Sequence, residues 1–218
     1  MMESLDRDSL RCKADELAER DPLLADALRI GGQPKLWKRP ATFATFIRII
    51  LEQQVSLASA WNTYERLRPT CPGGRVTPAA VAAIGQDGLK GLGFSRQKAR
   101  YAEHLAQDCL AGRFKIRPLA RLPDDEVRER IVARLGLGDW SADIYLMLAL
   151  TRPDLLPIGD LAIVKGFGML AERPDVTGDE ILDHAHRWRP YRSVAARMIW
   201  GVYLQRKNTT LPPGAFES

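Results

Sequence analysis

The sequence predicts an all-α protein. Apolar residues recur at helical spacing along most of the chain, and alternating β-branched stretches of strand length are almost absent. Gly and Pro clusters punctuate the pattern at GGQP (31–34), CPGG (71–74), GLGF (91–94), RPDLLP (152–157) and ERPD (172–175). Between these marks the spacing places helices over roughly 4–19, 42–51, 56–68, 78–84, 95–111, 124–135, 139–151, 161–172, 178–187 and 191–205. No repeat of solenoid period and no low-complexity segment interrupts them.

Composition narrows the function classes. With 218 residues, 45% of them hydrophobic, the chain has material for one large or two small domains with a buried core. Lys and Arg number 32 against 27 acidic residues, a net charge of +5, which suits a polyanionic partner without requiring one. The N-terminus carries acidic residues where a signal peptide is basic and apolar, and no apolar run reaches bilayer-spanning length. The expectation is therefore a cytoplasmic protein with no membrane role. Cys12, Cys71 and Cys109 are odd in number and widely spaced, which argues against a disulfide framework, a zinc site or an iron–sulfur cluster. All three are expected to be buried as small apolar side chains. His104, His184 and His186 lack further ligands at metal spacing, so no metal and no organic cofactor is indicated.

A polar interruption stands between the helical patterns at 42–51 and 56–68. There TFATFIRIIL runs straight into EQQVS. Gln53 and Gln54 read either as a kink whose amides cap neighbouring backbone or as a projecting turn whose amides reach a partner. Periodicity does not choose between them.

The most informative stretch is residues 131–168, which reads as helix, Gly-rich hairpin, helix, loop, acidic residue, helix. Leu135, Gly136, Leu137 and Gly138 form the hairpin, whose glycines can take positive φ and bring bare amides close to another molecule. The helix that follows adds a positive dipole end, and Ser141 adds a hydroxyl, so a phosphate is the natural guest. Such a grip holds a nucleic-acid backbone without reading bases. A G-x-G between helices is by itself usually only a helix end; its weight comes from Asp160, 22 residues beyond Gly138. At about 1.5 Å per residue the intervening helix spans about 20 Å, and the RPDLLPIG loop can then return the chain towards the hairpin. Asp160 is also placed as a helix N-cap, where the dipole and amide donors favour its negative charge. A carboxylate so held is what an oxocarbenium-like transition state on deoxyribose needs beside it. Asp154 reads as a turn residue, Asp139 as a helix start and Asp143 as an exposed helical position.

With RLGLGDWSAD and LLPIGDLAIVKGF in view, the chain resembles the helix-hairpin-helix DNA glycosylases, and within them the alkylation-repair branch, DNA-3-methyladenine glycosylase II. Further segments carry the resemblance: IILEQQVSLASA at 49–60, GLGFSRQKARYAEHLA at 91–106 and WRPYRSVAARMIW at 188–200, the last taken as the branch-specific element. The resemblance implies a two-lobed helical fold with the active site in a cleft between lobes. One lobe would hold 42–153, and the other would combine 1–41 with 154–218, with no N-terminal β domain. It puts Asp160 in the catalytic position, Gln53 and Gln54 in the gap left by a flipped nucleotide, and Trp140 and Trp200 on the walls of the base pocket. Ile144 stands where an aromatic pocket residue is expected, and Trp37 is a further pocket candidate.

The implied activity is hydrolytic excision of a flipped alkylated base from double-stranded DNA, by a monomer associated with a bacterial nucleoid. Bifunctional relatives carry a Schiff-base lysine at the position of Trp140, and no lysine occurs here between Lys115 and Lys165, so lyase activity is not expected. The resemblance also suggests a monovalent cation held by the hairpin carbonyls. Arg96, Lys98, Lys165 and Arg192 are candidates for neutralising phosphates. Three readings compete: a glycosylase for another lesion, such as hypoxanthine, a non-catalytic helix-hairpin-helix DNA-binding module, and a helical scaffold with no nucleic-acid role. The second would need the hairpin and be indifferent to Asp160.

Overall fold

The computed structural model describes residues 4–214 and 216, and among them every regular element is helical. The α-helices are α1 (Arg7–Arg20), α2 (Pro22–Gly31), α3 (Phe43–Glu52), α4 (Leu57–Leu67), α5 (Pro78–Gly91), α6 (Arg96–Leu110), α7 (Asp124–Val132), α8 (Asp139–Leu148), α9 (Leu161–Leu170), α10 (Gly178–Ala185) and α11 (Arg192–Arg206). None of them is long and apolar enough to cross a membrane.

Most helix starts are set by a side-chain cap. Asp6 and Ser9 form a reciprocal capping box on α1, and Thr177 with Glu180 does the same for α10. Two helical stretches exceed the sequence expectation. Helix α2 occupies a segment where the spacing places no helix, although Asp21 as N-cap, Pro22 in the first turn and Gly32 after the end are its start and stop signals. Helical structure in α5 resumes beyond a break at Gly85 (φ +66°), so it runs to Gly91 rather than stopping at 84.

The chain divides into two compact units. The first comprises Met1–Lys38 and Leu146–Thr210, and the second Arg39–Tyr145 with Leu211–Glu217. Helix α8 carries the chain from the second unit into the first.

In the first unit α11 packs against α1, α2 and α9. Gly31 and Gly201 let α2 and α11 touch backbone to backbone; a Cβ on Gly31 would lie 2.9 Å from the Gly201 carbonyl carbon. Helix α10 is tied to the start of α2 through Asp21, which is 2% exposed. One oxygen of this carboxylate caps the Leu23 amide (3.0 Å), and the other accepts from Trp188 Nε1 and His184 Nε2, each at 2.7 Å. Burial pushes the Asp21 carboxyl upward, but hydrogen bonds from Trp188, His184 and the Leu23 amide outweigh it and hold it below the ordinary range.

In the second unit α3 supplies the core, with Phe46, Ile47, Ile49 and Ile50 fully buried. Phe46 stacks on Tyr145 of α8 (centroids 4.3 Å apart) and meets Phe114 edge-on. Arg39 and Glu52 form a buried bidentate ion pair, with both N–O distances 2.8 Å, that fixes the entry to α3 against its last turn.

Two burial expectations are corrected. Cys12 is exposed and Cys109 half-buried, because α1 turns Cys12 outward beside Glu16; only Cys71 is buried. Asp143 is buried rather than exposed, because Arg128 of α7 neutralises it there.

Candidate active site and nucleic-acid interface

The second unit presents the hairpin. After α7 the chain turns through Arg134–Gly138, closed by the Arg134 amide on Ile131 O (2.9 Å) and the Leu137 amide on Arg134 O (3.1 Å). Leu137 is buried and anchors the turn, while Gly138 is exposed. Gly136 has φ +80°, and a Cβ there would sit 2.1 Å from the Tyr101 ring, so both backbone conformation and packing require glycine. The amides of Gly136 and Gly138 donate to no group among the described residues. Two unsatisfied donors beside a helix start suit an anionic oxygen.

Two neighbours hold the hairpin. Gln53 donates from Nε2 to Gly136 O (2.7 Å) and lies 3.4 Å from the hydroxyl of the buried Ser141. Asp108 accepts from Arg134 (2.9 Å) and Arg113 (2.7 Å), which fixes the residue that opens the turn. Burial pushes the Asp108 carboxyl up, and the two guanidiniums outweigh it and hold it low. The glutamines therefore separate: Gln53 braces the hairpin, whereas Gln54 is exposed at φ +58°. A positive φ at a non-glycine residue is sustained strain of the kind found at binding turns. Lys98 donates to Leu51 O (2.8 Å), closing the C-terminal end of α3, so this lysine is spent on the fold rather than presented to a phosphate.

An open groove of about 590 Å³ runs along the hairpin, lined by Arg100, His104, Arg134 and the backbone from Leu135 to Gly138. Arg100 and His104 were not singled out from sequence, although their i,i+4 spacing on α6 is a local signal for one shared face. A larger cavity of about 840 Å³, around Phe114 and Arg117, contains none of the sequence-predicted site residues. Trp140 is half-buried in the first turn of α8, and Ile144 one turn later is buried.

The first unit presents the carboxylate. Asp160 is the N-cap of α9, its Oδ1 accepting from the Ala162 amide at 2.8 Å. Trp200 Nε1 lies 3.4 Å from the same oxygen, a long contact that places the indole directly beside the carboxylate. Trp37 meets Trp200 edge to face, with centroids 5.9 Å apart and planes at 61°. Three sequence-predicted residues, Asp160, Trp200 and Trp37, thus form one cluster.

The loop that delivers Asp160 is clamped by the WRPYRS segment. Arg192 forms two bonds to the Asp154 carboxylate (2.7 and 3.0 Å) and one to its carbonyl. Ser193 takes the Leu155 amide on its hydroxyl (2.9 Å) and donates its own amide to Pro153 O (2.9 Å). Arg192 therefore holds a loop rather than standing free for phosphate. Arg96 and Lys165 remain exposed. Among the described residues no cluster of three His, Cys, Asp or Glu could hold a metal ion.

A family model described as HhH-GPD superfamily base excision DNA repair protein matches residues 47–190, which span the Gln-Gln turn, the hairpin and Asp160. The chain belongs to this superfamily. Its relatives include DNA-3-methyladenine glycosylase 1 of Schizosaccharomyces pombe, 27% identical over 72% of this chain and 71% of the relative. DNA-3-methyladenine glycosylase 2 of Escherichia coli is 28% identical over 72% of this chain, which spans 56% of that longer protein. Among solved structures, a DNA-3-methyladenine glycosidase from Bacillus halodurans superposes with TM-score 0.74 and 27% identity, covering 93% of each chain. The S. pombe 3-methyladenine DNA glycosylase in complex with abasic DNA gives TM-score 0.80, at 23% identity over 86% of this chain and 94% of that one. The all-helical superfamily fold is thereby established.

Proposed function

We propose that this superfamily member is a monofunctional DNA glycosylase that flips alkylated bases of the 3-methyladenine type out of double-stranded DNA and hydrolyses their N-glycosidic bond in base excision repair. The observation that carries this reading is the carboxylate of Asp160, fixed at a helix start with the indole of Trp200 beside it. The relatives named as 3-methyladenine glycosylases support the substrate class.

Alkylation at N3 or N7 makes a purine cationic and a good leaving group, so no strong general acid is required. As the glycosidic bond breaks, its electron pair leaves with the base and positive charge grows on the sugar. Asp160 stabilises that charge and takes the proton of the water that attacks the anomeric carbon. Trp200 and Trp37 provide electron-rich faces and edges for the cationic base, worth about 1–2 kcal/mol per stacked indole. The hairpin amides of Gly136 and Gly138, with Arg100 and His104 on the groove wall, hold the phosphates of the strand. Gln54 enters the space left by the flipped nucleotide. With no lysine between Lys115 and Lys165, the product is an intact abasic strand. With such a substrate the protein works at the chromosome, in this reading within a bacterial cytoplasm.

A lesion panel tests this reading. Purified protein should release 3-methyladenine and 7-methylguanine from methylated duplex, release neutral hypoxanthine at least about tenfold more slowly, and give no borohydride-trapped adduct. Preferential hypoxanthine release would move the substrate class. Binding without release of any base would leave a DNA-binding module.

A further inference from the structure

Arg197 is 0% exposed on α11, and no carboxylate among the described residues pairs with it. Its guanidinium is satisfied by backbone carbonyls alone. Nε donates to Leu36 O (3.2 Å), one terminal nitrogen to Ser193 O (3.0 Å) and the other to Met147 O (2.6 Å). Met147 lies in the last turn of α8, where the carbonyls carry the negative end of the helix dipole. A buried cation with no counter-ion is a poor way to fill space, since an apolar side chain of similar volume avoids the desolvation. What a guanidinium adds is the fork that ties α11, at its own Ser193 carbonyl, to two other backbone segments at once.

One of those segments leads into the site. Leu36 immediately precedes Trp37, which holds φ +48°, a conformation that a bulky residue keeps only when its surroundings impose it. Trp37 packs on the edge of Trp200, which stands one turn beyond Arg197 on α11 and points its indole N–H at Asp160.

We propose that Arg197 is a positioning residue for the base pocket: by gripping the Leu36 carbonyl from within α11, it fixes Trp37 against Trp200 beside the catalytic carboxylate. The proposal rests on the glycosylase reading for its kinetic consequences, but not for its structural one. Because the two indoles contact the base before and during bond cleavage alike, loss of the fork weakens substrate binding more than the chemical step.

The test uses the full chain labelled with 5-fluorotryptophan, whose five fluorine resonances are assigned by single Trp→Phe replacements. In R197M the Trp37 and Trp200 resonances should move while that of Trp61 stays. KM for methylated duplex should rise about tenfold with kcat changed less than about threefold. W37L should show the same split, and the double variant R197M/W37L should be no worse than W37L alone. R197K guards against loss of folding, since a single ammonium keeps the charge yet cannot span three carbonyls; it should still displace the Trp37 line. An unmoved Trp37 resonance in folded R197M or R197K, or additive effects in the double variant, would overturn the proposal. Absence of base release by the unaltered protein would remove the glycosylase reading, while the fluorine spectra would still decide the role of Arg197.

Discussion

Asp160→Asn is expected to lower the single-turnover rate of 3-methyladenine release by about 10³-fold or more. Affinity for the same duplex should stay within about threefold of the unaltered protein. The substitution removes the charge while keeping the side chain's shape. Asn caps a helix as well as Asp does, so α9 keeps its bond to the Ala162 amide and the Trp200 indole keeps an oxygen to face. The negative charge is lost, and the second carboxylate oxygen becomes an amide donor. Quenched single-turnover assays with excess protein measure the rate, and a gel-shift titration measures binding. A mutant that releases base at the original rate would remove Asp160 from the chemistry.

The second large effect is expected at Gly136. A Cβ there meets the Tyr101 ring at 2.1 Å on a backbone already at φ +80°, so Gly136→Ala must move the turn or the tyrosine. Either displacement disturbs the Gln53 bond to Gly136 O and misaims the free amides. Strain of about 1–2 kcal/mol should lower the melting temperature by a few degrees. Duplex affinity should fall by about 10- to 100-fold, and the slope of log affinity against log salt should flatten by about one phosphate. Gly138→Ala is the control, because a Cβ at that position meets nothing within 4 Å and its φ is not positive. It should leave stability nearly unchanged while crowding the phosphate. Equal stability losses in both variants would contradict this account of the hairpin.

What could be read from sequence is what local pattern encodes. The hairpin glycines and the N-cap position of Asp160 carry their signals within a few residues, so both were legible. Helix α2 was also legible in principle through Asp21, Pro22 and Gly32, yet this short element follows α1 after Asp21 alone and runs directly into the GGQP cluster. Other features had no local signature. Gln53 meets Gly136 across 83 positions, Arg192 meets Asp154 across 38, and Arg197 meets Leu36 across 161. Pairings at such separations are decided by tertiary packing, to which a periodicity of 3.6 residues is blind. The same limit explains Asp143, whose burial depends on Arg128 from another helix. It also explains why Gln53 and Gln54, adjacent and chemically identical, have different surroundings: one turns to the hairpin and the other to solvent.

The central claim is electrostatic: Asp160 stabilises positive charge as it develops on the sugar. The most direct measurement compares two duplexes that differ at one residue, a cationic pyrrolidine abasic analogue and its neutral tetrahydrofuran counterpart. The unaltered protein should bind the cationic duplex about 10²-fold more tightly at fixed salt, and Asp160→Asn should erase most of that preference. Equal affinity for the two duplexes in the unaltered protein, or a preference that survives Asp160→Asn, would contradict it.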